Sequence, residues 1–172
     1  MRKTFTTIAA LLLAAHAHSS VWAAEAQIAV AANFAEPIKA IAAVLEKTTG
    51  HKLKISTGAS GAFVTQIKNG APYDMFFSAD KERPEILEKE GLTQPGSRFT
   101  YAHGRLALWS SKVGRVDNQG AVLNTIDLGK VAFANPKTAP YGAAAVQVME
   151  TMGLSDSLAS RLVQGESIGQ TF

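Results

Sequence analysis

Residues 27–34 read QIAVAANF, and this stretch decides the fold class. Residues 27–32 form a continuous run of small, mostly apolar side chains, which is typical of a strand buried on both faces. From Asn33 onward the apolar residues follow a helical spacing, at positions 34, 38, 41 and 45. Asn33 and Glu36 predict a capping box that begins this helix at Asn33, and Gly50 predicts its end. A buried strand that leads directly into an amphipathic helix predicts an α/β fold.

Strand and helix patterns alternate along the rest of the chain. Further strands are predicted at residues 52–56, 74–78, 105–110 and 130–134, and further helices at residues 63–70, 81–90, 141–152 and 154–162. This alternation predicts parallel sheets with flanking helices. The polar, turn-rich passage at residues 92–104 predicts a boundary between two lobes. We assign residues 27–103 to the first lobe and residues 104–172 to the second.

The N-terminus carries the features of a secretory signal peptide. Arg2 and Lys3 precede the apolar run at residues 8–15, and small residues follow as far as Ala26. Cleavage is predicted after Ala23 or after Ala26. The apolar run is too short to span a bilayer, so we expect residues 1–26 to direct export to the periplasm.

Composition excludes several classes of function. The chain has 172 residues, of which 47% are hydrophobic and 18% charged, and its net charge is +3. Such a weak positive charge argues against nucleic-acid binding and against a polybasic membrane anchor. Because the chain has no cysteine, it has no disulfide scaffold, thiol nucleophile or cysteine-based zinc site.

Polar and glycine-rich sequences mark four predicted junctions between a strand and a helix, at residues 31–33, 57–61, 140–142 and 166–169. Ligands of open α/β sheets bind at the carboxyl ends of the strands, and helix N-termini hold anions through their backbone N–H groups. Asn33 and Ser60 add side-chain donors. Each of these two residues has an alternative interpretation as a simple N-cap. Four such junctions together favour an anion-binding site.

Enzymatic interpretations have weaker support in the sequence. Residues 58–62 read GASGA, which lacks the second glycine of a nucleophile elbow, so a hydrolase based on Ser60 has no recognisable histidine partner. His51 and His103 are predicted to be solvated. Asp74 and Asp80 are predicted to cap the ends of one strand, and Trp109 is predicted to lie in the core. We therefore expect a binding protein and not an enzyme.

Several longer motifs follow one another along the chain: AVAANF at residues 29–34, STGASG at 56–61, NGAPYDMFFSAD at 69–80, GRLALWS at 104–110, ANPKTAPYG at 134–142 and GESIGQ at 165–170. In this order the motifs resemble those of the periplasmic molybdate-binding proteins of ABC importers. The resemblance implies the type II periplasmic binding-protein fold, in which two α/β lobes close on a tetrahedral oxyanion held by neutral donors. It implies no cofactor and no metal site other than that of the oxyanion.

The ligand positions that the resemblance implies are Asn33, Ser60, Tyr141 and the backbone of Ile168. Many relatives have serine at the position of Asn33, and some have alanine at the position of Tyr141. The implied function is capture of molybdate, and also tungstate, by a monomeric periplasmic receptor for delivery to a membrane permease. A receptor for sulfate, phosphate or another small oxyanion is the alternative within this class.

Members of the family continue beyond the position of Phe172. We therefore expect the second lobe to be incomplete in this sequence, and a truncated remnant that binds no ligand is a further alternative. Missing strands leave sheet edges and apolar faces uncovered, which predicts weak cooperativity of unfolding.

Overall fold

The computed structural model describes residues 23–125 and 127–172. Most of the predicted signal peptide, residues 1–22, therefore lies outside the described residues. No helix in the described part of the chain is both long and apolar enough to cross a membrane.

The first lobe is a three-stranded parallel sheet with a helix after each strand. The strand order is β2-β1-β3, so β1 is the central strand. The elements in chain order are β1 (Glu25–Ala31), α1 (Ala35–Thr49), β2 (Lys52–Gly58), α2 (Ser60–Lys68), β3 (Met75–Phe77) and α3 (Glu82–Lys89).

The central strand is buried on both faces, as its sequence predicts. Ile28, Ala29 and Val30 have no exposed surface, and Ile28 and Val30 pack against Ile38 of α1. Gly50 ends α1 in a left-handed conformation with φ of 75°, which glycine adopts without strain. The apolar spacing of residues 27–45 thus positions the first strand, the first helix and the junction between them.

The second lobe has a two-stranded parallel sheet and its own apolar core. Its elements are β4 (Val131–Ala134), α4 (Pro140–Thr151), α5 (Ser155–Leu158), β5 (Leu162–Gly165) and α6 (Ile168–Thr171). The core is formed by buried side chains from a 3-10 turn, from α4 and from the segment that includes α5: Val122, Leu123, Met149, Leu154 and Leu158. A single helix was predicted for residues 154–162. In the structure α5 ends at Leu158, a 3-10 turn follows at Ala159–Arg161, and strand β5 begins at Leu162.

The predicted capping box at Asn33 is wrong. A 3-10 turn at Ala32–Phe34 precedes α1, which begins at Ala35, and no side chain caps either element. The Ala35 N–H instead donates to the Ala32 carbonyl, and Glu36 forms an ion pair with Lys39. The Asn33 amide is therefore not used to begin the helix.

The strand predicted at residues 105–110 is also wrong. Between α3 and the 3-10 turn at Ala121–Asn124, the described chain forms neither helix nor strand. The apolar alternation fits a strand, but none of the strands in the described residues lies beside it to pair with its backbone groups. Trp109 was expected in the core. It is 61% exposed and contacts the ring of Phe172.

Candidate functional site

A small pocket lies at the carboxyl ends of the strands, between the two lobes. Its volume is about 190 Å³, including the open mouth. The lining residues come from every predicted junction and from the end of β3: Ala31, Ala32, Asn33, Gly58, Ala59, Ser60, Ala79, Ala139, Pro140, Tyr141 and Ile168.

The pocket brings together all four residues singled out in the sequence, namely Asn33, Ser60, Tyr141 and Ile168. Sequence reasoning missed Ala79, which carries no chemistry in its side chain. The available signal was topological, because Ala79 follows a strand of the same sheet and carboxyl ends of parallel strands meet at one edge.

Ser60 is the most constrained polar residue of the pocket. Its side chain is completely buried, and its Oγ accepts a hydrogen bond of 3.0 Å from the Ala79 N–H. No residue in the described part of the chain accepts the Ser60 hydroxyl proton. Ser60 is the first residue of α2 and does not cap it, because the N-cap position is Ala59. The hydroxyl is thus oriented by the backbone and retains a proton to donate.

The first turn of α4 supplies a backbone donor from the second lobe. Pro140 has no N–H, and the N–H groups of Gly142 and Ala143 both donate to the Ala139 carbonyl. The Tyr141 N–H is therefore the first-turn donor without a partner inside the helix. Gly142 is buried so tightly that a Cβ atom there would overlap the Ala134 carbonyl oxygen. This glycine lets the start of α4 approach the end of β4.

Tyr101 lies close to Tyr141, which lines the pocket. Tyr101 packs against Phe34 and Phe77, and its hydroxyl donates to the Ser78 carbonyl at 3.0 Å. Partial burial, and to a lesser extent the proximity of Tyr141, raise the pKa of the Tyr101 phenol. The phenol therefore stays neutral, and no negative charge forms on it next to the pocket.

None of the described residues that line the pocket carries a charge. The nearby Arg83 forms an ion pair with Asp80, which neutralises it. Asp80 also accepts from the Arg83 backbone N–H at 3.2 Å, although the N-cap position of α3 is Lys81. Glu166 does not line the pocket, and its carboxylate accepts from the Asn135 amide at 3.2 Å. The pocket thus offers polar donors without a formal charge.

The two lobes meet at the pocket wall through small side chains. Ala59 of the first lobe packs with Ala134 and Ala139 of the second, all three being buried, and Ala62 and Ile168 lie at the edge of this cluster. We call Ala59, Ala134 and Ala139 the alanine contact. It keeps the lobes close and the space between them small.

The described residues do not support the enzymatic alternatives. They contain no group of three or more histidine, aspartate or glutamate side chains placed to hold a metal ion. His51 lies away from the pocket, where its Nδ1 accepts from the Ala24 N–H at 3.0 Å. His103 is exposed and does not line the pocket either. Ser60 therefore has neither histidine beside it as a base.

A sequence profile described as "Bacterial extracellular solute-binding protein" matches residues 26–172. The chain belongs to this family of solute-binding proteins. It is 58% identical over 148 residues to the molybdate-binding protein ModA of Azotobacter vinelandii, and 52% identical over 150 residues to ModA of Rhodobacter capsulatus. These matches cover 86% and 87% of this chain, and 59% of the length of each relative.

Structural comparison agrees with this assignment. The solved periplasmic molybdate-binding protein of Azotobacter vinelandii superposes with a TM-score of 0.83 at 47% sequence identity, covering 85% of this chain and 64% of that one. The resemblance and the two-lobed, parallel α/β fold class predicted from the sequence are thereby confirmed. This solute-binding chain spans about three fifths of the length of the curated relatives that it matches.

Proposed function

We propose that the protein is a periplasmic receptor that captures molybdate, and also tungstate, and delivers it as a monomer to the membrane permease of an ABC importer. The observation that carries this proposal is the buried Ser60 hydroxyl, whose oxygen is occupied by Ala79 while its proton remains to be donated. Similarity to proteins named for molybdate binding supports the choice of ligand. In this proposal Asn33, Ser60, Tyr141 and the Ile168 backbone hold the oxyanion, and no cofactor takes part.

The chemistry of the pocket suits a fully ionised oxyanion. Such an anion has no proton to donate, so a site made only of donors satisfies all its oxygen atoms. A protonated phosphate would require an acceptor, and the nearest candidate in the sequence, Glu166, bonds Asn135 outside the pocket lining. Molybdate and sulfate have the same charge and shape, so the size of the pocket must distinguish them.

We expect isothermal titration calorimetry on the purified protein to show tight binding of molybdate and tungstate and much weaker binding of sulfate. Phosphate serves as the control for an anion that carries a proton. Sulfate binding as tight as that of molybdate would contradict selection by size, and no binding of either metal oxyanion would refute the proposed function.

The boundary between the lobes is proposed at residues 103–104. Tyr101, just before this boundary, supports the assignment because it packs on Phe34 and Phe77 of the first lobe. Gly104 lies against the hydroxyl of Tyr141 in the second lobe, and a Cβ at this position would collide with it. Closure of the lobes would bury the anion and form the surface that the permease recognises.

We propose that residues 1–23 form the cleaved signal peptide, with Ala24 as the first residue of the mature protein. Strand β1 begins at Glu25, which pairs with Lys52 in the sheet and forms an ion pair with Lys54. The Ala24 carbonyl accepts from the Lys52 N–H at 2.9 Å. Cleavage after Ala26 would remove these interactions from the N-terminal end of the central strand.

Intact-mass analysis of the exported protein is therefore expected to give an N-terminus at Ala24. A mature N-terminus at Gln27 would contradict this assignment. That result would mean that β1 is stable without Glu25 and Ala26, its first two residues.

A further inference from the structure

Two hydrogen bonds join the lobes beside the pocket without involving any residue that lines it. The Gly61 N–H donates to the Thr138 carbonyl at 2.8 Å, and Arg83 Nη2 donates to the Lys137 carbonyl at 3.2 Å. Lys137 and Thr138 immediately precede Ala139, the first pocket residue of the second lobe. These bonds therefore hold the segment that leads into the pocket wall.

Arg83 is kept in position by Asp80. The two side chains form an ion pair and are only 16% and 22% exposed, and Asp80 Oδ1 accepts from the Ser78 hydroxyl at 3.0 Å. A guanidinium group is planar and has several N–H donors, so one edge can pair with a carboxylate while another reaches a carbonyl. Asp80 neutralises Arg83, which leaves its second edge to act as a hydrogen-bond donor across the lobes.

Gly61 makes the close approach of the lobes sterically feasible. A Cβ atom at this position would lie 3.0 Å from the Thr138 carbonyl oxygen and 3.1 Å from Arg83 Nε. The last glycine of the STGASG motif thus has no part in the pocket itself and is explained by this contact. We call Gly61, Asp80, Arg83, Lys137 and Thr138 the interlobe latch.

We infer that Arg83 is a positioning residue that stabilises the closed arrangement of the lobes and so slows release of the anion. The inference rests on the proposed function, since it assigns Arg83 a role in retaining the proposed ligand. For a bound anion to leave, the lobes must separate, and separation breaks the Arg83–Lys137 and Gly61–Thr138 bonds. Because neither bond touches the pocket, weakening them changes the population of the closed state and not the donors that hold the anion.

The test uses the Arg83→Lys variant of the purified protein. Lysine retains the charge opposite Asp80, but a single ammonium lacks the fork that also reaches the Lys137 carbonyl. We expect the dissociation rate of molybdate to rise about tenfold, with an association rate changed by less than about twofold. Gly61→Ala, whose added Cβ would crowd both the Thr138 carbonyl oxygen and Arg83 Nε and so obstruct the approach of the lobes, is expected to act in the same direction.

Arg98→Lys is the matched control. Arg98 forms ion pairs with Glu85 and Glu88 of α3, the helix that carries Arg83. The described residues show no hydrogen bond from Arg98 to the second lobe. We expect this variant to bind and release molybdate as the unaltered protein does. Equal dissociation rates in Arg83→Lys and Arg98→Lys would overturn the inference.

A second measurement follows the lobes directly. The chain has no cysteine, so Lys89→Cys on α3 and Gln147→Cys on α4 allow a specific pair of labels for distance measurement. Without ligand, Arg83→Lys is expected to shift the distribution toward longer distances, whereas saturating molybdate restores the short distance. An unchanged distribution without ligand would refute the latch even if the protein bound no molybdate, whereas loss of molybdate binding alone would refute only the proposed function.

Discussion

Ser60→Ala is expected to weaken molybdate binding by about 1.5–3 kcal/mol, which corresponds to roughly 10- to 150-fold in the dissociation constant. The variant removes a donor to a charged ligand in a pocket where no described lining residue offers a compensating charge. It also leaves the Ala79 N–H without its acceptor, so the ligand-free protein should lose about 1–3 kcal/mol of stability. Calorimetry and thermal unfolding of the same variant measure the two effects.

Thr65→Ala provides the comparison for this experiment. Thr65 lies on the same helix, its hydroxyl bonds the Gly61 carbonyl at 3.3 Å, and it does not line the pocket. Its removal is expected to leave the affinity unchanged. If Ser60→Ala lowered stability but bound molybdate as tightly as Thr65→Ala, the hydroxyl would be a purely structural group.

Gly142→Ala is expected to lower the free energy of unfolding by about 3 kcal/mol, the upper part of the range for overpacked sites. The added Cβ would overlap the Ala134 carbonyl oxygen and lie 2.7 Å from the carbonyl carbon of the same residue. These neighbours are backbone atoms at the end of β4, so α4 must move away from the strand. Denaturant unfolding measures the loss, and weaker molybdate binding should accompany it because Tyr141 moves with the helix.

Gly58→Ala tests whether the loss of stability expected for Gly142→Ala comes from the clash with neighbouring backbone atoms. A Cβ at Gly58 meets only the Phe63 ring, at 3.3 Å, and a side chain can shift by a few tenths of an ångström. This variant is expected to lose less than about 1 kcal/mol. A similar loss in both glycine variants would show that the β4–α4 contact is not specially constrained.

The elements around the pocket could be predicted because their signals are local. The apolar run of β1 and the helical spacing after it required no knowledge of the rest of the chain. The rule that parallel strands present their carboxyl ends at the same edge places Asn33 near Ser60 in the first sheet and Tyr141 near Ile168 in the second. That the two sheets meet in one pocket does not follow from this rule. Their roles toward a ligand stay predictions, which the experiments above address.

The errors arise where distant partners decide the outcome. Residues 105–110 have a strand-like alternation, but a strand requires a neighbour, and pattern alone does not reveal whether one is present. Asn33 has the sequence of a cap, yet the 3-10 turn at Ala32–Phe34 satisfies the start of α1 through its backbone. Arg83 and Lys137 are 54 positions apart, and nothing in either segment indicates that they meet.

The alanine contact has a consequence for the entropy of ligand capture. When two protein surfaces close, long side chains lose rotamer freedom, which costs up to about 2 kcal/mol for each lysine or arginine that becomes fixed. Alanine has no rotamers to lose, so Ala59, Ala134 and Ala139 come together without this cost. If the lobes close on an oxyanion as proposed, this part of the interface therefore takes nothing in side-chain entropy from the free energy of binding.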